Sequence, residues 1–219
     1  MKLCIFDLDG TLADTLSTIA HYGNTALSAC GLPEIAVEDY KTLVGDGRSV
    51  LIHRMLACFG RDGEELFKKA CTVYDAAYEA DVIFDTKPYE GIVEAVKSLR
   101  KAGVKTAVLS NKPDNVVRMV CDKLFDGGLF DEIRGQREDT PKKPAPDGAL
   151  LLAEMFGAKS SECVFVGDTN VDIFTGKNAG MRTAGVLWGF RTQEELSEAG
   201  ADIILEKPAD IARLADFVK

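Results

Sequence analysis

The sequence is poor in the features that announce a membrane protein, a metal finger or a nucleic-acid binder. No apolar run approaches the roughly 18 residues that a membrane-spanning helix needs. The opening apolar stretch meets Asp7 and Asp9 too soon for a secretion signal. Histidine is nearly absent. His21 and His53 both lie in helix-patterned stretches, where surface or core-edge positions are expected, so a histidine-dependent mechanism has little to work with. Six cysteines are scattered with no C-x-x-C and no histidine at ligand spacing, which excludes a zinc site or disulfide framework and predicts reduced, mostly buried thiols. Positive charge is short as well: 26 Lys and Arg against 35 Asp and Glu leave a net −9 over 219 residues. That balance disfavours nucleic acid and anionic membrane, both polyanions, and the expected location is cytoplasmic. No G-x-x-x-x-G-K-S/T loop occurs, so a P-loop nucleotide hydrolase is unsupported.

What is present is an ordinary globular composition, 46% hydrophobic and 28% charged, enough to bury a sizeable core. Residues 3–6 (Leu-Cys-Ile-Phe) read as a short buried strand that stops in an acidic, glycine-containing segment. Helical periodicity follows: apolar positions recur from Ile19 to Cys30, over residues 50–59, and from Leu66 to Tyr78. After Pro88 the pattern alternates. Strands are predicted at 106–109, 132–133, 163–166, 183–187 and 202–205, with helices at 92–99, 116–124, 149–156, 171–179, near Glu194 and at the end. Such alternation predicts an α/β fold, a Rossmann-like parallel sheet interrupted after its first strand by a helical insertion. The expected division is a core of residues 1–13 and 86–219 and a helical domain of residues 14–85, the latter carrying −6 of the net charge.

Polar residues collect where three of these strands end. They are Asp7-Leu8-Asp9-Gly10-Thr11, Ser110-Asn111-Lys112, and Gly167-Asp168-Thr169-Asn170-Val171-Asp172. Parallel sheets bind ligands beyond the carboxyl ends of their strands, near the topological switch point. Taken singly, each aspartate reads equally well as a turn or cap: Asp168 and Thr169 can cap the next helix, and Asp172 can be a solvent-facing charge. Taken together, Asp7, Asp9 and Asp168 repel one another unless something cationic sits among them. A hard divalent ion answers that, and Mg²⁺ is typical where it also holds phosphate.

Asp7-Leu8-Asp9-Gly10-Thr11-Leu12 resembles the signature of the haloacid dehalogenase superfamily's phosphatases. Ser110, Lys143 within Lys143-Pro144-Ala145-Pro146, and Gly167-Asp168 with Asp172 match the remaining motifs in order. The resemblance covers the core, and an insertion just after strand one is similar to the helical cap of the superfamily's first cap class. It implies a HAD-like fold and an aspartyl-phosphate mechanism. Asp7 would be the nucleophile, and Asp9 would protonate the leaving alcohol and then activate water. Ser110 and Lys143 would hold the phosphoryl oxygens. Asp7, Asp168 and the Asp9 backbone carbonyl would bind Mg²⁺, with Asp172 as a near or outer ligand. Lys142 is the adjacent rival to Lys143, and the Lys-Pro-x-Pro match favours Lys143.

Substrate contacts are expected from Thr11, Ser110 and Asn111, and from the glycine turn holding Gly45 and Arg48, where backbone N–H groups can form an anion nest. Lys112 follows Ser110 and can reach the phosphate, though a surface or loop position is the first expectation, and Trp188 is expected to serve strand-end packing, with a place bordering the site as the alternative. Gly45-Asp46-Gly47-Arg48, Pro88-Tyr89-Glu90-Gly91 and Val186-Leu187-Trp188-Gly189-Phe190-Arg191 together resemble phosphoglycolate phosphatases. The expected activity is Mg²⁺-dependent hydrolysis of a small phosphorylated metabolite by a monomer or homodimer. A hexose-phosphate mutase and a pyrophosphate or nucleotide phosphatase share the Asp-x-Asp pattern. A signalling receiver domain is the non-enzymatic rival, and it has no helical insertion of this size.

Overall fold

A computed structural model describes residues 1–217 of the chain. The chain forms two compact units: Met1–Asp14 with everything from Pro88 onward, and Thr15–Lys87. The first unit begins with β1 (Leu3–Phe6), and the chain leaves it after β2 (Ala13–Asp14) and returns through β3 (Lys87–Pro88). Then come β4 (Lys105–Pro113), β5 (Glu132–Gln136), β6 (Cys163–Gly167), β7 (Arg182–Val186) and β8 (Ile203–Leu205). Six of these build one parallel sheet in the order β5-β4-β1-β6-β7-β8. β1 and β6 are buried along their whole length, as expected of central parallel strands covered on both faces. One core cluster joins Leu3, Ile5, Leu109, Leu152, Phe165 and Met181.

The topology decides where chemistry can collect. The chain passes from β1 outward through β4 to β5, then crosses to the other side of β1 for β6, β7 and β8. β1 is therefore flanked by β4 and β6, with Phe6 level with both Val108 and Val166. The residues following all three strands must emerge side by side at the carboxyl edge. β4 continues further than predicted. It passes through Ser110-Asn111-Lys112 to Pro113, with an irregularity in register between Leu109 and Pro113. Bulges of this kind re-aim side chains at the ends of strands.

The second unit holds α1 (Leu16–Ala29), α2 (Tyr40–Leu43), α3 (Arg48–Ala57) and α4 (Glu64–Ala80). Apolar spacing predicts α1, α3 and α4. It does not predict α2, which forms because Tyr40 is fully buried against Gly23, where any Cβ would collide with the tyrosine ring. Asn24 fastens this corner, accepting from the Ile35 N–H and the Tyr40 hydroxyl, each at 2.9 Å. Tyr22, Tyr74 and Tyr78 pack together along the α1 and α4 faces.

The helices α5 (Ile92–Lys101), α6 (Asp114–Leu124), α7 (Asp147–Met155), α8 (Asn170–Asn178), α9 (Gln193–Glu198) and α10 (Leu214–Phe217) complete the first unit. Each connects or follows sheet strands. All six cysteines are free thiols, four of them buried, Cys30 half-buried and Cys58 exposed. Among the described residues, no helix is long and apolar enough to cross a membrane.

Candidate active site

The segment after β1 curls tightly. The N–H groups of Leu12 and Ala13 both donate to the Leu8 carbonyl, at 2.9 and 3.0 Å. Asp7 stays in line with the strand, its N–H donating to Val166 at 3.0 Å, and its Oδ1 accepts from the Leu8 N–H at 2.7 Å. Gly10 closes the curl with φ of 81°, a left-handed conformation that favours glycine. A side chain there would also run into the Asp168 carboxylate. The Asp-x-Asp-Gly sequence thus lets the β1 loop lie directly against the end of β6.

Asp168 is fully buried and is gripped from two sides. The Thr11 hydroxyl donates to its Oδ1 at 2.8 Å and the Phe190 N–H to its Oδ2 at 2.9 Å. Gly189 makes this approach possible, since a Cβ there would overlap both Asp168 and the Gly10 carbonyl. Trp188 adds a further tie, its indole N–H donating to the Thr11 carbonyl at 3.0 Å. Asp172, three residues into α8, reaches back to accept from the Thr169 N–H at 3.1 Å and the Thr169 hydroxyl at 2.8 Å. This is half of a capping box, and it turns the other carboxylate oxygen toward Lys143.

Lys143 lies between two carboxylates. Its Nζ is 2.6 Å from Asp172 Oδ1 and 3.0 Å from Asp7 Oδ1, and the side chain is 3% exposed. Burial alone would pull the ammonium pKa down, but Asp172 and Asp7 outweigh it and keep the lysine charged. Asn111 secures the lysine's backbone from β4. Its amide donates to the Lys143 carbonyl at 3.0 Å and its Oδ1 accepts the Lys143 N–H at 2.8 Å. Ser110 is also buried, and its Oγ accepts the Lys112 N–H at 3.3 Å.

Ligand atoms of Asp7, Asp168 and Asp172 all lie within 4.8 Å of one another, and all three residues are buried. At that separation, two carboxylates repel by about 3 to 4 kcal/mol even in an effective dielectric near 20. Burial, aided by Asp172 and Asp9, pushes the Asp7 carboxyl up to about 7 against the opposing pull of Lys143. Burial, with Asp172 and Asp7, likewise drives Asp168 well above the carboxylate range despite its two donors. With Asp9 and Lys112 included, the four carboxyl groups, when all are ionised, face two ammonium groups, so holding them all in the charged form leaves two negative charges for a cation to balance. The donors offered are all oxygen, the set that suits a hard divalent ion such as Mg²⁺.

Asp9 stands apart from this cluster. Its carboxylate Oδ1 is 2.7 Å from Lys112 Nζ, and the two side chains are 18% and 8% exposed. Two sequence expectations need correction here. Lys112 is no surface or loop residue: the extended β4 carries it into a part-buried ion pair with Asp9. Thr11 does not offer its hydroxyl to a substrate, because it is fully buried and its proton is given to Asp168. Asn111, expected to contact substrate, holds the Lys143 backbone through its Oδ1 and one Nδ2–H. Asp172, expected as a near or outer metal ligand, is fully buried in the carboxylate cluster. Within the helical unit, Gly45 lies in the turn before α3 and Arg48 is the first residue of that helix, where its guanidinium pairs with Asp75 at 3.1 Å. Phe190 and Gly189 escaped the sequence reading as site residues; a glycine just past the end of β7 was the available signal.

A haloacid dehalogenase-like hydrolase family model matches residues 1–180. The chain belongs to that family. It is 34% identical over 217 residues to a phosphoglycolate phosphatase of Aquifex aeolicus, covering 99% of this chain and 97% of that one. It is 31% identical over 218 residues to phosphoglycolate phosphatase 1 of Pseudomonas aeruginosa, covering 98% and 80%. Among solved structures, a predicted phosphoglycolate phosphatase from Haemophilus somnus superimposes with a TM-score of 0.91 at 28% identity, covering 98% and 97% of the two chains. This family member is accordingly an enzyme, a hydrolase of the phosphatase type.

Proposed function

We propose that the protein is a Mg²⁺-dependent phosphomonoesterase acting through an aspartyl-phosphate on Asp7, with 2-phosphoglycolate as its substrate. The observation that carries the reading is the division of labour among buried charges. Asp7, Asp168 and Asp172 form one carboxylate cluster, with Lys143 paired to Asp7 and Asp172, while Asp9 is held separately by Lys112. A cation-binding carboxylate cluster beside a second, independently held carboxylate is what a two-step displacement without histidine requires. The substrate assignment draws on the names of relatives that match almost the whole chain.

Asp7 Oδ1 is fixed by the Leu8 N–H and Lys143, so attack on phosphorus falls to Oδ2. Asp9 enters this step protonated: as the Asp7 O–P bond forms and the P–O bond to the leaving group breaks, it gives that proton to the departing alkoxide and becomes the carboxylate that Lys112 holds. Asp9 then takes a proton from water, the water oxygen bonds to phosphorus, and the Asp7 O–P bond breaks to release orthophosphate. Lys143 and Ser110 hold the phosphoryl oxygens and neutralise the charge they gather. Mg²⁺, held by Asp7, Asp168, the Asp9 backbone carbonyl and Asp172, would supply further charge stabilisation at the phosphoryl group.

Phosphate release from 2-phosphoglycolate and from p-nitrophenyl phosphate, with Mg²⁺ and with EDTA, tests the reading. The intact protein releases phosphate only with Mg²⁺, and Asp7→Asn abolishes release. Release that survives in Asp7→Asn, or none from the intact protein, contradicts it.

A further inference from the structure

Two lysines of the core, Lys143 buried and Lys112 half-buried with its side chain 8% exposed, serve different carboxylates. Lys143 belongs to Asp7 and Asp172, the side where phosphorus is attacked. Lys112 belongs to Asp9, the carboxylate that serves the leaving oxygen. A substrate's leaving alcohol therefore departs next to a part-buried ammonium group, a costly feature to maintain beside an acid that only has to pass a proton. An ammonium has three N–H donors, so it can hold Asp9 and a ligand oxygen together. Lys112 also follows Ser110 by two residues on β4, and the Ser110 Oγ accepts its backbone N–H, so the phosphoryl contact and the lysine are set by the same few atoms. Arg48, the cation expected to meet the leaving group, is bonded to Asp75 within the helical unit.

We propose that Lys112 is the residue that reads a carboxylate on the leaving group, and that the enzyme thereby selects phosphate esters of short α-hydroxy acids over esters of neutral alcohols. The proposal rests on the reading of Asp9 as the group facing the leaving oxygen. Its reach is short. An ammonium within hydrogen-bond distance of Asp9 can meet an anion one carbon from the ester oxygen, as in 2-phosphoglycolate, and cannot serve one at the far end of a long chain. Selection here comes from a charge-assisted hydrogen bond, which a neutral alcohol of equal size cannot form.

The test is a matched pair of substrates, 2-phosphoglycolate and ethyl phosphate, which differ in the carboxylate while keeping a two-carbon leaving group. Both are assayed with the Mg²⁺-loaded wild type, Lys112→Met and Lys112→Arg. Because Lys112 also holds Asp9, kcat/KM falls for both substrates in Lys112→Met. The fall on 2-phosphoglycolate exceeds that on ethyl phosphate by about 30-fold or more, the scale of one charge-assisted hydrogen bond. Lys112→Arg, which keeps the charge, recovers most of that ratio. Glycolate, as a product inhibitor of p-nitrophenyl phosphate hydrolysis, binds the wild type and loses about 10-fold or more in affinity with Lys112→Met. Equal losses on the two substrates, with glycolate inhibition unchanged, overturn the proposal and leave Lys112 as a positioning residue for Asp9. A wild type that hydrolyses ethyl phosphate as well as 2-phosphoglycolate overturns it while the phosphomonoesterase reading stands. A wild type that releases phosphate from no ester overturns both.

Discussion

Replacing Lys143 by methionine keeps most of the side chain's packing against Phe165 and removes one charge from a fully enclosed site. Two ion pairs, at 2.6 and 3.0 Å, disappear together. Removing one partner of a buried pair costs about 3 to 5 kcal/mol, because the remaining charge has no solvent to turn to. Here the remainder is three carboxylates within 4.8 Å, so without metal the upper end of that range is expected at pH 8. Proton uptake relieves it. Asp7 already has its carboxyl pushed up to about 7 by burial, with Lys143 opposing, and loss of the lysine raises it further. Its folded-state pKa lies above the ordinary carboxyl value of 3.8, so the folded protein binds the extra proton. That stabilisation is full below about 4 and is lost as pH rises through about 7. Urea denaturation in EDTA should therefore give a cost of about 4 kcal/mol for Lys143→Met at pH 8, shrinking to about 2 kcal/mol at pH 5. A cost under about 1 kcal/mol at pH 8, or one equal at the two pH values, refutes the reasoning about enclosed charge.

Thr11→Val deletes the hydroxyl that orients Asp168 while keeping its shape, and the Mg²⁺ concentration needed to raise the melting temperature should increase about 10- to 100-fold; a shift below about threefold counts against the role. Gly10→Ala combines a left-handed φ of 81° with a collision against Asp168 and should lower stability by about 2 kcal/mol or more in thermal melts, with loss of phosphate release. Far from the site, burial alone would raise the Asp131 carboxyl, but Lys105, the Thr106 N–H and Arg100 hold it below the usual range. Its stabilisation is present above the unfolded pKa near 3.8 and is lost as pH falls through the lower folded value. Asp131→Asn should therefore cost about 1 to 2 kcal/mol at pH 7 and flatten the acid limb of the unfolding curve; an unchanged acid midpoint contradicts this.

The meeting of Asp7 and Asp168 was legible because parallel strands release their polar residues at one edge, whatever their distance in the chain. The fates of individual polar atoms were not legible. Thr11 and Asn111 lie next to motif residues and read as substrate contacts, yet Asp168 claims the Thr11 hydroxyl and the Lys143 backbone takes the Asn111 Oδ1 and one of its N–H groups. An enclosed Asp168 needs donors, and a lysine placed between carboxylates needs its backbone fixed. Lys112 was misread for a different reason. Ser-Asn-Lys-Pro has the composition of a loop, and only the irregular continuation of β4 past Leu109 turns it inward. The helix over Tyr40–Leu43 was missed because four residues are too few to show a period. Asp172 carried two signals, cap and charge, and its position three residues into α8 satisfies both at once.

The central claim is that phosphorus passes through Asp7. Mixing the Asp9→Asn variant with Mg²⁺ and p-nitrophenyl phosphate, whose phenolate leaves without needing a proton from Asp9, quenching in acid within a turnover, and sequencing the peptides by mass spectrometry tests it directly. The account predicts one phosphoryl group on Asp7, lost on treatment with hydroxylamine. An unmodified Asp7 while phosphate is released, or a phosphoryl group on any other residue, would contradict it.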